Sequence, residues 1–250
     1  MLANVNPALL EFCQPWLAGE PRLLLACQFA PAGRGREQFL AVNVLMRELA
    51  QSVIAVSERR VAEARLAWWA EEAQSWAAGH PRHPLAHGFA DLGQCQPVAG
   101  LVAASADWLM AAAPEQSQAL SERLTALAAA SDSLHPGAVA WRLPWLALVL
   151  RLTLNATTPL TNVLPLDLWA RHGLKRSKWP ELAHLQRREL MAEVVQSLGL
   201  ESAATADPAM AVLQYLEARW LASAKRWRSE GDRLSPLDVF GAWRAARRSR

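Results

Sequence analysis

Six side chains on two neighbouring stretches are of types that could act on one ligand: Asn43, Arg47 and Glu48 on the first, Arg65, Trp69 and Glu72 on the second. A guanidinium offers a planar fork of donors that suits phosphate or carboxylate, an indole offers an apolar face, and a carboxyl can pair with either cation or hold a proton. Asn43, Arg47 and Gln51 are spaced four apart, a polar stripe along a helix with Glu48 beside it. Arg65, Trp69, Glu72 and Trp76 fall at i, i+4, i+7 and i+11 and share one face of the next helix. There Arg65 can stack on Trp69, a contact worth about 0.5–1 kcal/mol when exposed. Each stripe has a purely structural reading as well: a partly exposed edge or an internal Arg47–Glu48 pair for the first, an interhelical seam with a charged rim for the second. No residue is assigned a catalytic role.

Metal chemistry finds little support in the sequence. No two aspartates stand three or four apart, and Glu189 with Glu193 is the only acidic pair at that spacing, following Arg187 and Arg188 on what reads as a solvated face. Cys13, Cys27 and Cys95 are too far apart, and too far from histidines, to form a ligand set, and they read as thiols of a reducing compartment. No metal site and no cofactor is expected.

The elements that must position these residues are helical. Apolar residues make up 52% of the chain, enough for a sizeable core and too many for a disordered polymer. Alternating β-branched runs are nearly absent, so the fold class is all-α, and with no strong linker residues 1–250 read as a single domain. Asn6 and Pro7 have the cap-then-proline order of a helix start, closed by residues 19–21. Further helices are predicted over 36–56, 59–78, 83–92, 97–112, 115–130, 136–154, 180–198, 208–230 and 236–247, each bounded by proline, glycine or a polar cluster. Residues 39–54 are apolar on nearly every face, which predicts a helix surrounded by others.

No apolar run reaches the length of a membrane span, and the strongest, residues 138–150, contains Arg142 and Pro144. The amino-terminal residues lack the basic-then-apolar order of a secretory signal, so a cytoplasmic location is expected. The net charge of +3 owes much to Arg244, Arg247, Arg248 and Arg250 at the end, which read as a solvated tail, and nucleic-acid binding is not expected.

One run of motifs resembles a known family. Residues 41–50 (Ala-Val-Asn-Val-Leu-Met-Arg-Glu-Leu-Ala), then Val56-Ser57-Glu58 and Arg65-Leu66-Ala67-Trp68-Trp69, are similar to the amino-terminal signature of the squalene/phytoene synthase superfamily. Phe29-Ala30-Pro31 ahead of them, the connector over residues 79–85, and the later Leu164-Pro165 element with Arg171-His172-Gly173 fit the same pattern in order and spacing, over residues 22–175. The resemblance implies an isoprenoid-synthase-like helical bundle. For active members it also implies two aspartate-rich motifs holding magnesium against prenyl diphosphates, because a leaving diphosphate concentrates negative charge that hard cations must neutralise.

This chain departs from that pattern at both motifs. The only acid over residues 39–54 is Glu48, and none occurs between Asp132 and Asp167. The resemblance is nearest to the branch that includes the mitochondrial complex I assembly factor, which also replaces the first motif, and implies a non-catalytic protein that binds a partner protein or an isoprenoid or other lipid. The alternative is a prenyl-diphosphate condensing transferase with atypical magnesium ligands. Peripheral membrane contact is compatible with the first reading. A relic cavity is expected between the faces bearing Asn43 and Arg47 and those bearing Arg65 and Trp69. Alanine at either arginine should then weaken ligand binding and leave the thermal midpoint nearly unchanged.

Overall fold

The computed structural model describes residues 2, 4–89, 95–135, 138–156, 163–200, 203–222 and 234–249, with the side chains of all but 95, 96, 138 and 139 among them. Within those residues the regular elements are all helices. In chain order they are α1 (Pro7–Gly19), α2 (Pro21–Cys27), α3 (Arg34–Ile54), α4 (Arg59–Ala77), α5 (Cys95–Met110), α6 (Ser117–Asp132), α7 (Arg142–Asn155), α8 (Leu166–Arg171), α9 (His184–Leu198), α10 (Pro208–Ala222) and α11 (Pro236–Arg248). Short 3-10 turns cover Pro84–Gly88, Ala138–Trp141 and Arg176–Glu181.

Local chemistry accounts for most boundaries. Asn6 caps α1 by accepting from the backbone N–H groups of Ala8 and Leu9, with Pro7 opening the first turn. Gly79, at φ 81°, ends α4, and His80 N–H returns to the Ser75 carbonyl at 2.9 Å. Pro144 is tolerated because it sits in the first turn of α7, where its missing N–H has no helical partner to lose.

Two predicted helices differ from what forms, and part of a third lies outside the described residues. Residues 84–88 make a 3-10 turn where a helix over 83–92 was expected, and 90–92 lie outside the described residues. The helix expected from 180 starts at His184, because Pro180 sits in the preceding 3-10 turn and Gln186 then caps the Ala183 N–H at 3.0 Å. Residues 223–230 of the predicted tenth-helix extension lie outside the described residues, as do Asn162 and Arg250.

α3 is the axis of the fold. It packs against α1, α2, α4, α5, α7 and the 84–88 turn, and from Phe39 to Leu49 every residue but Glu48 is buried. The 84–88 turn approaches so closely that a Cβ at Gly88 would stand 2.2 Å from that of Ala41. Trp76, Trp141, Trp145 and Trp179 are fully buried in the surrounding layers. Trp141 donates to the His135 carbonyl and Trp145 to the Ser131 hydroxyl, each at 2.9 Å.

Candidate functional site

Where the first turns of α4 meet the carboxy-terminal half of α3, the two helices do not close on each other. They leave an open groove of about 510 Å³. Glu48, Gln51 and Ser52 of α3 form one wall; Val61, Ala64, Arg65, Trp68 and Trp69 of α4 form the other; Phe12 of α1 and His83 of the α4–α5 connector close its end. The volume lies within the range of small-molecule sites.

The aromatic end is rigidly assembled. The His83 ring meets Phe12 edge-on at 4.5 Å between centroids, Trp69 at 5.0 Å and Trp68 at 5.6 Å. Its Nδ1 accepts the backbone N–H of Leu85 at 3.2 Å, which places the proton of the neutral ring on Nε2. Burial pulls its pKa below the ordinary 6.5, against the charge of Glu72, so the ring is a neutral donor at physiological pH.

Glu48 is half-buried and accepts the indole N–H of Trp16 at 3.2 Å. Burial raises its pKa above 4.5, and the Trp16 bond and the charge of Arg65 only partly oppose this. The groove thus holds one cation at its rim, one carboxyl that gives up its proton reluctantly, a neutral imidazole, and apolar walls.

Of the six residues singled out by the sequence, the structure brings Glu48, Arg65 and Trp69 together and sends the other three elsewhere. Arg65 is exposed on the rim, and the guanidiniums that stack on indoles among the described residues are those of Arg22, Arg151, Arg187 and Arg247 rather than Arg65. Glu72 is fully buried beneath the connector. It accepts from Trp76 Nε1 at 2.6 Å, from the backbone N–H of His83 at 2.8 Å, and from both the backbone N–H and Nε of Arg82 at 3.0 Å. It holds His83 in place without reaching the groove.

Asn43 and Arg47 do not face the groove at all, which corrects the expected pairing of the two stripes. On a helix, the mean direction of positions 43 and 47 lies about 140° away from that of 48 and 52. Asn43 is buried and donates to the Phe39 carbonyl at 2.9 Å, and Arg47 donates to the Asn43 carbonyl at 3.0 Å. The Arg47–Glu48 pair is not formed either. Arg47 instead lies 3.7 Å from Glu20, in a buried cluster that joins α2, α3, α7 and α10. Arg151 grips Glu217 through two nitrogens, at 2.5 and 2.9 Å, Arg22 approaches the same carboxylate at 3.4 Å, and both guanidiniums lie over Trp220. The carboxyl of Glu20 is pushed up by burial but drawn further down by Arg151, Arg47 and Arg22, so it stays ionised.

Opposite the groove, α3 is sealed. Leu49, Ala50, Val53 and Ile54 pack on Ser105, Trp108, Leu127, Trp145 and Val149 around a void of only about 10 Å³, room for no more than one water. Among the described residues no group of three or more His, Cys, Asp or Glu side chains gathers at metal-binding distance. The acidic pair Glu189 and Glu193 is no exception, because Glu193 is bonded to Arg171 and to His172, the latter at 2.7 Å. Cys13 and Cys27 are buried thiols whose pKa burial pushes up to about 12, which keeps them unreactive.

Phe12, Ser52, Val61, Ala64, Trp68 and His83 line the groove without having been singled out for it, and Gln51 reaches it although Asn43 and Arg47 of the same stripe do not. A signal was present: Glu48, Gln51 and Ser52 at i, i+3 and i+4 form a second polar stripe, and Val61, Ala64, Arg65 and Trp68 complete its counterpart at i, i+3, i+4 and i+7.

No family model and no curated protein matches the chain in sequence. Among solved structures it is similar to a dehydrosqualene synthase in complex with ligand, with a TM-score of 0.62 at 13% identity over 96% of this chain and 95% of that one. A squalene synthase HpnC from Alicyclobacillus acidocaldarius matches over 99% of this chain and 96% of its own, at 13% identity and a TM-score of 0.49. The first likeness establishes the all-helical fold as that of an isoprenoid synthase.

Proposed function

We propose that this chain binds an amphiphile with an apolar tail and an anionic head, of the prenyl diphosphate or isoprenoid lipid class, in the α1–α3–α4 groove, and that it does so without catalysing condensation. The observation that carries the reading is the composition of the groove. Aromatic and aliphatic walls formed by Phe12, Val61, Trp68 and Trp69 offer a tail an apolar bed, and Arg65 at the rim offers the head a cation. The isoprenoid-synthase fold supports the same ligand class. A protein of this kind parallels the non-catalytic branch of the superfamily, and a partner protein would meet it with the groove loaded.

Magnesium does not fit this site. A hard cation needs several oxygen ligands, and the groove supplies the single carboxyl of Glu48, whose burial favours the protonated form and whose neighbour is the guanidinium of Arg65. Without clustered carboxylates the charge that develops on a departing diphosphate has no stabiliser worth several kcal/mol. Incubated with farnesyl or geranylgeranyl diphosphate and magnesium, the protein should therefore give no condensed product above a protein-free control. Product that appears with magnesium and vanishes with EDTA would establish the transferase reading instead.

A further inference from the structure

α11 is amphipathic in an unusual sense, because the side it turns to solvent is the apolar one. Its inner side is fixed to α10. Ala242 and Ala246 are buried, Gly241 lies so close to Tyr215 that a Cβ would overlap the ring, and Arg219 pairs with Asp238 at 2.7 Å. A capping box between Ser235 and Asp238 anchors the first turn. With that side taken, Leu237, Val239, Phe240 and Trp243 stand 69%, 46%, 57% and 45% exposed. Phe240 and Trp243 stack on each other, and the guanidinium of Arg247 lies over the Trp243 ring at 4.8 Å.

Charge follows the same face. Arg244, Arg247 and Arg248 are exposed on its last turns. The helix's one acid, Asp238, is already engaged inward. The outer face is thus apolar and aromatic over its first two turns, positive over the last, and without a negative group. Water solvates the arginines but leaves the aromatic and aliphatic part of the face unburied. An anionic bilayer surface takes both parts, with aromatic and aliphatic side chains set at the acyl boundary and arginines on the phosphates.

From this complementarity we propose that α11 docks the protein on the surface of an anionic lipid bilayer. Leu237, Phe240 and Trp243 enter the headgroup layer, and Arg244, Arg247 and Arg248 pair with lipid phosphates. No described helix is long and apolar enough to cross a membrane, so the contact is peripheral. It rests on α11 alone and is independent of the groove.

The test is co-sedimentation of the full chain with vesicles of phosphatidylcholine alone or mixed with phosphatidylglycerol. Binding is expected to the mixed vesicles and to weaken as salt is raised. The R244Q/R247Q/R248Q variant should lose on the order of 100-fold in affinity, since each arginine near such a surface contributes about a factor of five. The F240S/W243S variant should also lose binding. All five positions are exposed, so circular dichroism should show both variants folded. Arg65→Ala, a groove change, should pellet like the parent, which separates failure here from failure of the groove reading. Absence of pelleting, equal pelleting with both vesicles, or a dimer that F240S/W243S converts to monomer would overturn the proposal, the last assigning this face to a second copy of the chain.

Discussion

Arg47→Ala is expected to lower the unfolding free energy by about 3–5 kcal/mol, whereas Arg65→Ala should change it by no more than about 0.5 kcal/mol. The two arginines look alike in sequence, each near the middle of a long helix. Arg47 is 3% exposed and is one of three guanidiniums that keep Glu20 ionised in the interior. Burial, with the like charges of Arg151 and Arg22, pulls its pKa down, and Glu20 is the main group that opposes this. Truncation leaves Glu20 with less compensation and removes a donor from the Asn43 carbonyl, and one partner lost from a buried pair leaves the other charged and poorly solvated. At roughly 2–4 °C per kcal/mol for a chain of this size, the midpoint should fall by about 10 °C in a thermal melt. Arg65 loses only an exposed rim charge. Equal, small effects at both positions would mean that Arg47 is not committed to the ion cluster.

The second large effect is expected at Glu72. Glu72→Ala leaves the fully buried Trp76 N–H without its acceptor and frees the connector carrying His83, at a cost of about 1–3 kcal/mol. Glu72→Gln should cost less, because an amide oxygen can still accept from Trp76. The same residue sets an acid limit. Burial pushes its carboxyl up, but the bonds from Trp76 and from the backbone of Arg82 and His83, with the charge of Arg82, outweigh that and hold it below the ordinary 4.5. A depressed folded-state value means that the stabilisation is complete above the unfolded value and is lost as pH falls through the folded one. Denaturant melts of the wild type should therefore weaken below about pH 4.5, and Glu72→Gln should flatten part of that dependence. Identical pH profiles for the two proteins would show that Glu72 carries no such charge-linked contribution.

The helical fold was readable because its signals are local. Asn6-Pro7, Gly79 and the dense apolar content of residues 39–54 each act within a turn or two, and the structure places a cap, a helix end and the axial helix at those points. The site was only half readable, because a polar stripe does not state what lies across from it. Arg65, Trp69, Glu72 and Trp76 do share a face of α4, yet its first half borders the groove and its second half is covered by the connector. Asn43 and Arg47 looked like cavity residues for the same reason. Asn43 bonds within its own helix, and the ion cluster that takes up Arg47 is built from Glu20, Arg151 and Glu217, which come from the residue before α2, α7 and α10, at separations that no helical periodicity connects. His83 was hidden in a connector, and its role depends on Glu72 fixing a backbone eleven residues away.

The central claim is that the groove holds a prenyl-type anion without a metal. Calorimetric titration of the protein with farnesyl diphosphate in EDTA tests it most directly, with Arg65→Ala and Trp68→Ala beside the wild type. The account predicts saturable binding by the wild type without magnesium, weakened about tenfold or more in each variant through loss of a charge-assisted contact or an aromatic wall, with thermal midpoints of the unliganded proteins unchanged. No binding in EDTA, or binding that both substitutions leave intact, would contradict it.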